Sequence, residues 1–263
     1  MTCVYGIFRP ALAENYEQEK RWAEQLREFL VIGEAVDLPL TNGVSGASSF
    51  FAIFTPQNTA KPKGAVILLH GTGAHPDWSD VIHPLRTQLP DKGWATLSLQ
   101  MPLLNEDKKT NESRTAVIEA SIERINAAVK FINDKGEYKR IHILGHSFGA
   151  LMTLNYLVNK SATQPFPVSG AILIGTPSIA TKIPLNSPAM IEQVAQLPLL
   201  DLYGSNDLRG ITETAKFRKA AALKAGNNKY RQKETIGANH FYSGLDDELV
   251  QYVSSWLSLY AAQ

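Results

Sequence analysis

From residue 65 onward, short unbroken apolar runs alternate with longer stretches in which apolar residues recur every third or fourth position. The runs include Ala65-Val66-Ile67-Leu68-Leu69, Gly93-Trp94-Ala95-Thr96-Leu97-Ser98-Leu99, Arg140 to Leu144, Val168 to Ile174 and Pro198 to Tyr203, and a more polar segment from Tyr230 to Ile236 closes the series. A strand covered on both faces by helices has this continuous apolar character. The clearest helical stretch runs from about Arg114 to Asn133, with Ile118, Ile122, Ile125, Val129 and Ile132 along one face. Further helices are expected up to Leu89, after Gly149, in a short patch near 189–196, over 211–225 and over 246–260. In the last of these, Leu249, Val253, Trp256 and Tyr260 share a face. Such alternation predicts an α/β fold whose mostly parallel central sheet has right-handed crossovers and helices on both faces.

Upstream of residue 65 the pattern differs. Trp22, Leu26 and Phe29 are spaced for one face of a helix over 14–31, packed on the outside of the domain. Residues 34–40 and 48–54, separated by Thr41-Asn42-Gly43 and Ser45-Gly46, predict an antiparallel N-terminal hairpin that opens the sheet. The expected organisation is a tail over 1–13, an N-terminal helix within 14–33 and a single α/β domain over 34–263.

Composition narrows the possibilities. The 263 residues suit one large α/β domain. A net charge of +1 with scattered Lys and Arg leaves no footprint for nucleic acid or a membrane surface. No apolar run reaches the roughly 18 residues of a membrane span, so no integral membrane segment is expected. The single cysteine, Cys3, allows no internal disulfide, and no Cys/His set has metal-ligand spacing, so neither a metal nor a cofactor is expected. The oligomeric state stays open. Residues 1–13 end in Ala11-Leu12-Ala13, the form of a signal-peptide cleavage site, although the stretch before it is short and contains Arg9. It reads as the remnant of an export signal, which suits an otherwise cysteine-free chain, or as the tail of a cytoplasmic protein.

The chemistry centres on Gly145-His146-Ser147-Phe148-Gly149, between the run ending at Leu144 and the helical stretch from Ala150. A G-x-S-x-G between strand and helix is a nucleophile elbow, a sharp turn that lifts a serine hydroxyl off the sheet edge. A serine hydroxyl needs a general base, and the base needs a group that fixes its tautomer. Asp207 and His240 follow Ser147 in the required order, each just past the C-terminal end of an expected strand and so at the same sheet edge. Asp201 competes with Asp207 but lies inside a strand, and Asp246 and Asp247 follow His240. His146 and His70 read as structural or orienting residues. The oxyanion donors are expected to be the N–H of Phe148 and, from His70-Gly71-Thr72-Gly73, that of Thr72, with Gly73 as the alternative.

With these four segments in view, the chain resembles the α/β-hydrolase superfamily from about residue 34 onward, on His70-Gly71-Thr72-Gly73, Gly145 to Gly149, Tyr203-Gly204-Ser205-Asn206-Asp207 and Gly237-Ala238-Asn239-His240. More narrowly, His75-Pro76-Asp77-Trp78, Gly93 to Ser98 and Ala225 to Gln232 resemble a bacterial α/β-hydrolase-like family of unknown function. That resemblance implies a signal peptide and tolerance of a missing elbow serine; Ser147 is retained here, and no substrate is implied.

The expected reaction is hydrolysis of a small-molecule acyl ester through an acyl-enzyme. The alternatives are acyl transfer by the same triad and a non-catalytic scaffold or binding protein of the cell envelope. Trp78 and Met101 are candidate pocket residues; Met101, Leu103, Leu104, Ile183, Leu185 and Met190 form either an apolar acyl wall or loop packing.

Overall fold

The computed structural model describes residues 15–41, 47–105, 107, 109–163 and 165–260. The tail over 1–13, with Ala11-Leu12-Ala13 and Cys3, lies outside them. The N-terminal helix α1 spans Tyr16–Phe29. The sheet strands are β1 (Glu34–Pro39), β2 (Ser49–Thr55), β3 (Gly64–Leu69), β4 (Trp94–Leu99), β5 (Ile141–His146), β6 (Gly170–Ile174), β7 (Leu199–Asn206) and β8 (Tyr230–Asn239). Between them run α2 (Ile82–Gln88), α3 (Asn111–Asp134), α4 (Phe148–Lys160), α5 (Ser187–Glu192) and α6 (Arg209–Lys224), and α7 (Asp246–Leu259) follows β8.

The eight strands form one sheet in the order β1-β2-β4-β3-β5-β6-β7-β8. β1 and β2 pair antiparallel, as do β2 and β4; all other pairs are parallel. The expected hairpin and mostly parallel sheet are both present. Each buried strand divides its side chains between two cores because successive residues point to opposite faces. On β3, Ala65, Ile67 and Leu69 join the core under α3, α4 and α5, and Val66 and Leu68 join the one under α2 and α7. The stripe on α3 packs as its spacing requires: Ile118, Ile125 and Ile132 are fully buried. Thr110 caps this helix, its hydroxyl accepting the Ser113 N–H.

The apolar stripe expected of α1 is only partly inserted. Trp22 and Leu26 are half-buried, and Phe29 is 72% exposed. The one fully buried side chain of this helix is a carboxylate, that of Glu19.

Candidate active site

Each glycine of the elbow stands where a side chain would collide with backbone. A Cβ on Gly145 would lie 2.3 Å from the Gly149 carbonyl oxygen, and one on Gly149 would lie 2.3 Å from that of Leu69. The turn from β5 into α4 therefore closes tightly and packs on the end of β3. At its apex Ser147 has φ 54° and ψ −118°. A non-glycine residue holds this conformation only where its surroundings enforce it. The Ser147 N–H donates to the Ile174 carbonyl (2.8 Å), which ties the apex to β6.

The strands β7 and β8 carry Asp207 and His240, the expected acid and base, just past their ends. A Cβ on Gly204 would lie 2.1 Å from the Ala238 carbonyl oxygen, so the two strand ends touch. The Gly237 N–H donates to Ser205 Oγ (2.8 Å), and Asn206 Nδ2 donates to the Gly237 carbonyl (3.3 Å). Beyond this junction His240 Nδ1 lies 2.7 Å from Asp207 Oδ1, and His240 Nε2 lies 3.0 Å from Ser147 Oγ. A carboxylate only accepts, so Nδ1 carries the proton and Nε2 is free to accept from the serine hydroxyl. Asp207 Oδ1 also accepts the Leu208 N–H (2.7 Å). Thus the structure brings Ser147, His240 and Asp207 together.

Two further groups hold His240. His146 Nε2–H donates to the His240 carbonyl (2.9 Å), and burial first, then His240, pushes the His146 pKa down to about 4. It is a neutral strut. Gly175, at φ 57°, lies under the imidazole: a Cβ there would come within 3.0 Å of His240 Nδ1 and Cε1. Gly175 has no signature in the sequence beyond following the apolar run of β6.

On the opposite side of Ser147 runs the loop after β3. A Cβ on Gly71 would lie 3.1 Å from Ser147 Cβ, so this peptide lies against the serine. Thr72 and Gly73 are exposed, Gly73 has φ 69°, and their N–H groups donate to no acceptor among the described residues. Phe148 is the first residue of α4, where an N–H has no intrahelical acceptor. The three expected donors are therefore uncommitted: Phe148 follows Ser147 directly, and Thr72 and Gly73 follow the Gly71 peptide that lies against it. His70 supports the loop from below. Its Nε2 accepts the Met101 N–H (2.9 Å), so its proton is on Nδ1, which donates to the Gly71 carbonyl (2.9 Å). Burial pushes its pKa down to about 3.

The competing residues are engaged elsewhere. Asp201 is fully buried, and its Oδ2 accepts from Arg218 Nε (2.8 Å), the Tyr230 hydroxyl (2.6 Å) and Gln232 Nε2 (2.9 Å). His83 Nδ1 bonds Asp77 (2.7 Å), and His142 lies between the rings of Trp94 and Trp256. The expectation that Met101 lines a pocket does not match its position. Its side chain has no exposed surface and belongs to the core, and its backbone reaches the site through His70. Leu103, Leu104, Leu185 and Met190 are also buried, which is loop packing; Ile183 remains exposed. Trp78 is half-buried and stacks edge-on against His75 (5.3 Å between centroids). Among the described residues no three His, Cys, Asp or Glu side chains are grouped so as to hold a metal ion. No described helix is long and apolar enough to cross a membrane.

Residues 17–121 and 104–259 match the model of a family described as a protein of unknown function (DUF3530). No curated protein matches the sequence. Among solved structures, the chain is similar to an esterase from Pyrococcus furiosus, at 17% identity and a TM-score of 0.66, over 90% of this chain and 94% of that one. It is also similar to the esterase domain of a Rhodothermus marinus protein, at 15% identity and TM-score 0.62, over 88% and 100% of the two chains. A third is an α/β serine hydrolase without a lid from Xanthomonas campestris, at 12% identity and TM-score 0.64, over 89% and 98%. At these identities the likeness is one of fold, and the fold is that of the α/β hydrolases.

Proposed function

We propose that this chain, which belongs to the DUF3530 family, is a serine hydrolase that cleaves acyl esters. The observation that carries the proposal is the continuous hydrogen-bonded line from Asp207 through His240 to Ser147, at 2.7 Å and 3.0 Å, with the serine strained at φ 54°. Ser147 Oγ attacks the ester carbonyl as His240 Nε2 takes its proton. Asp207 holds the ring and stabilises the imidazolium. The oxyanion forms against the N–H groups of Phe148 and of Thr72 or Gly73. His240 then protonates the leaving alcohol. Water, deprotonated by the same nitrogen, attacks the acyl-enzyme and releases the acid. The domain doing this spans 34–263, with α1 attached to it.

For the substrate, exposed apolar side chains beside the triad favour a small acyl ester with an apolar group. The Phe241 ring lies 5.2 Å from that of His240 and is 43% exposed, and Leu208, beside Asp207, is 59% exposed. The test is steady-state hydrolysis of p-nitrophenyl esters of increasing chain length by the wild type and Ser147→Ala. The expected result is turnover that the substitution abolishes. Turnover unchanged by Ser147→Ala would refute the assignment.

A further inference from the structure

The buried ion pair of α1 has no part in the mechanism above, and its energetics do not explain it. Two charges taken out of water carry a large desolvation cost before their attraction is counted, and apolar replacements of such pairs are often as stable or more so. Yet α1 inserts Glu19 and leaves Phe29 in solvent. Glu19 Oε2 accepts from Arg124 on α3 (2.8 Å), and its Oε1 accepts the Leu103 N–H (2.9 Å). Burial pushes the Glu19 carboxyl up, and Arg124 opposes this.

The bonds lead onward to the site. Arg124 also donates to the Gln100 carbonyl (2.7 Å). Gln100 Nε2 donates to the Met101 carbonyl (3.0 Å) and lies 3.3 Å from His70 Nε2. Met101 N–H and His70 Nδ1–H then carry the line to the Gly71 carbonyl, whose peptide lies against Ser147. A second connection is aromatic. Trp22 of α1 meets His75 edge-on at 5.4 Å, and His75 meets Trp78 at 5.3 Å. The helix therefore touches the loop after β3 at its far end and reaches its near end through the loop after β4.

We propose that α1 is a positioning element for the oxyanion loop, and that Glu19, acting through Arg124, Gln100 and His70, sets the backbone of Gly71 to Gly73 against Ser147. Its catalytic consequence rests on the serine-hydrolase reading. The buried pair is then kept for geometry, since an apolar pair would fill the space without directing hydrogen bonds to Leu103 and Gln100.

The test uses the full chain carrying Glu19→Met with Arg124→Met, which removes both charges and leaves neither unpaired. Three quantities are measured: the urea midpoint, kcat and KM on p-nitrophenyl acetate, and the side-chain 15N signals of His70. The expected result is a midpoint equal to or above that of the wild type and a KM within about threefold. The kcat is lower by about tenfold or more, short of the loss from deleting an oxyanion donor, and the His70 Nδ1–H resonance is displaced. A folded double variant with kcat within about twofold of the wild type overturns the proposal. Should that variant not fold, Trp22→Ala decides, since Trp22 is half-exposed: reduced kcat at steady KM supports the proposal and unchanged kcat overturns it. Should the wild type hydrolyse nothing, the hydrolase reading fails separately, and the His70 resonance alone judges the link; an unmoved signal overturns it.

Discussion

His240 makes two hydrogen bonds that place opposite demands on its ring, donating to Asp207 and accepting from Ser147. Only one neutral tautomer meets both. An amide at 207 can offer its own N–H to Nδ1 and so favour the other tautomer. Asp207→Asn is therefore expected to reduce kcat by about 10⁴-fold with the fold intact, the scale seen when a triad base is held in the wrong tautomer. Steady-state kinetics alongside circular dichroism checks this, and a loss below tenfold would show that Asp207 is not the orienting acid. Gly175 makes a subtler demand. It combines a positive φ with an imidazole 3.0 Å from where a Cβ would stand. Gly175→Ala should displace His240 and lower kcat/KM by about 10²-fold, as misplacement of a reacting group by about 1 Å can. An alanine variant with wild-type kinetics would contradict that packing.

The elements legible in the sequence are those whose burial is decided locally. The runs at β3, β4, β5 and β6 and the stripe on α3 carry their own evidence, since any fold must cover them. The candidate triad was legible for a related reason: the motif, the strand ends and the order Ser, Asp, His are all features of one dimension. What sequence could not reveal depends on a distant partner. A buried carboxylate on α1 makes sense only when Arg124 faces it across the fold. Gly175 belongs to the candidate site only because the turn after β8 brings the His240 ring over it, and Met101 reads as a pocket wall until its side chain is found inside the core. On β5, His142 is a local conflict of another kind. Neither of its ring nitrogens has a partner among the described residues, and burial pushes its pKa down to about 4. Removing two unsatisfied groups gains about what losing its edge-on contacts with Trp94 and Trp256 costs, each on the order of 1 kcal/mol. His142→Leu is thus expected to leave stability within about 1 kcal/mol at pH 8 and to make the protein more stable than the parent at pH 5. Urea titrations at the two pH values test this; equal losses at both would contradict it.

For the whole molecule, three buried histidines contribute strongly to the response to acid. His70 is held near 3, and His142 and His146 near 4, by burial in each case. Their pKa in the unfolded chain is near 6.5. Between these values the unfolded state binds more protons, so unfolding takes up as many as about three protons and stability falls as pH falls. Their contribution is present above about pH 6.5 and is lost progressively down to about pH 3, most of it before the carboxylates titrate. Denaturation at pH 8, 6.5 and 5 should show this decline, and a flat profile would contradict it.

The central claim is that Ser147 is an activated nucleophile, and covalent labelling tests it most directly. The folded protein is treated with a fluorophosphonate probe, and the modified residue is located by mass spectrometry. The expected result is one adduct per chain on Ser147, absent from Ser147→Ala and strongly slowed in Asp207→Asn. Absence of any adduct on the folded wild type, or an adduct on another residue that survives Ser147→Ala, would contradict the claim.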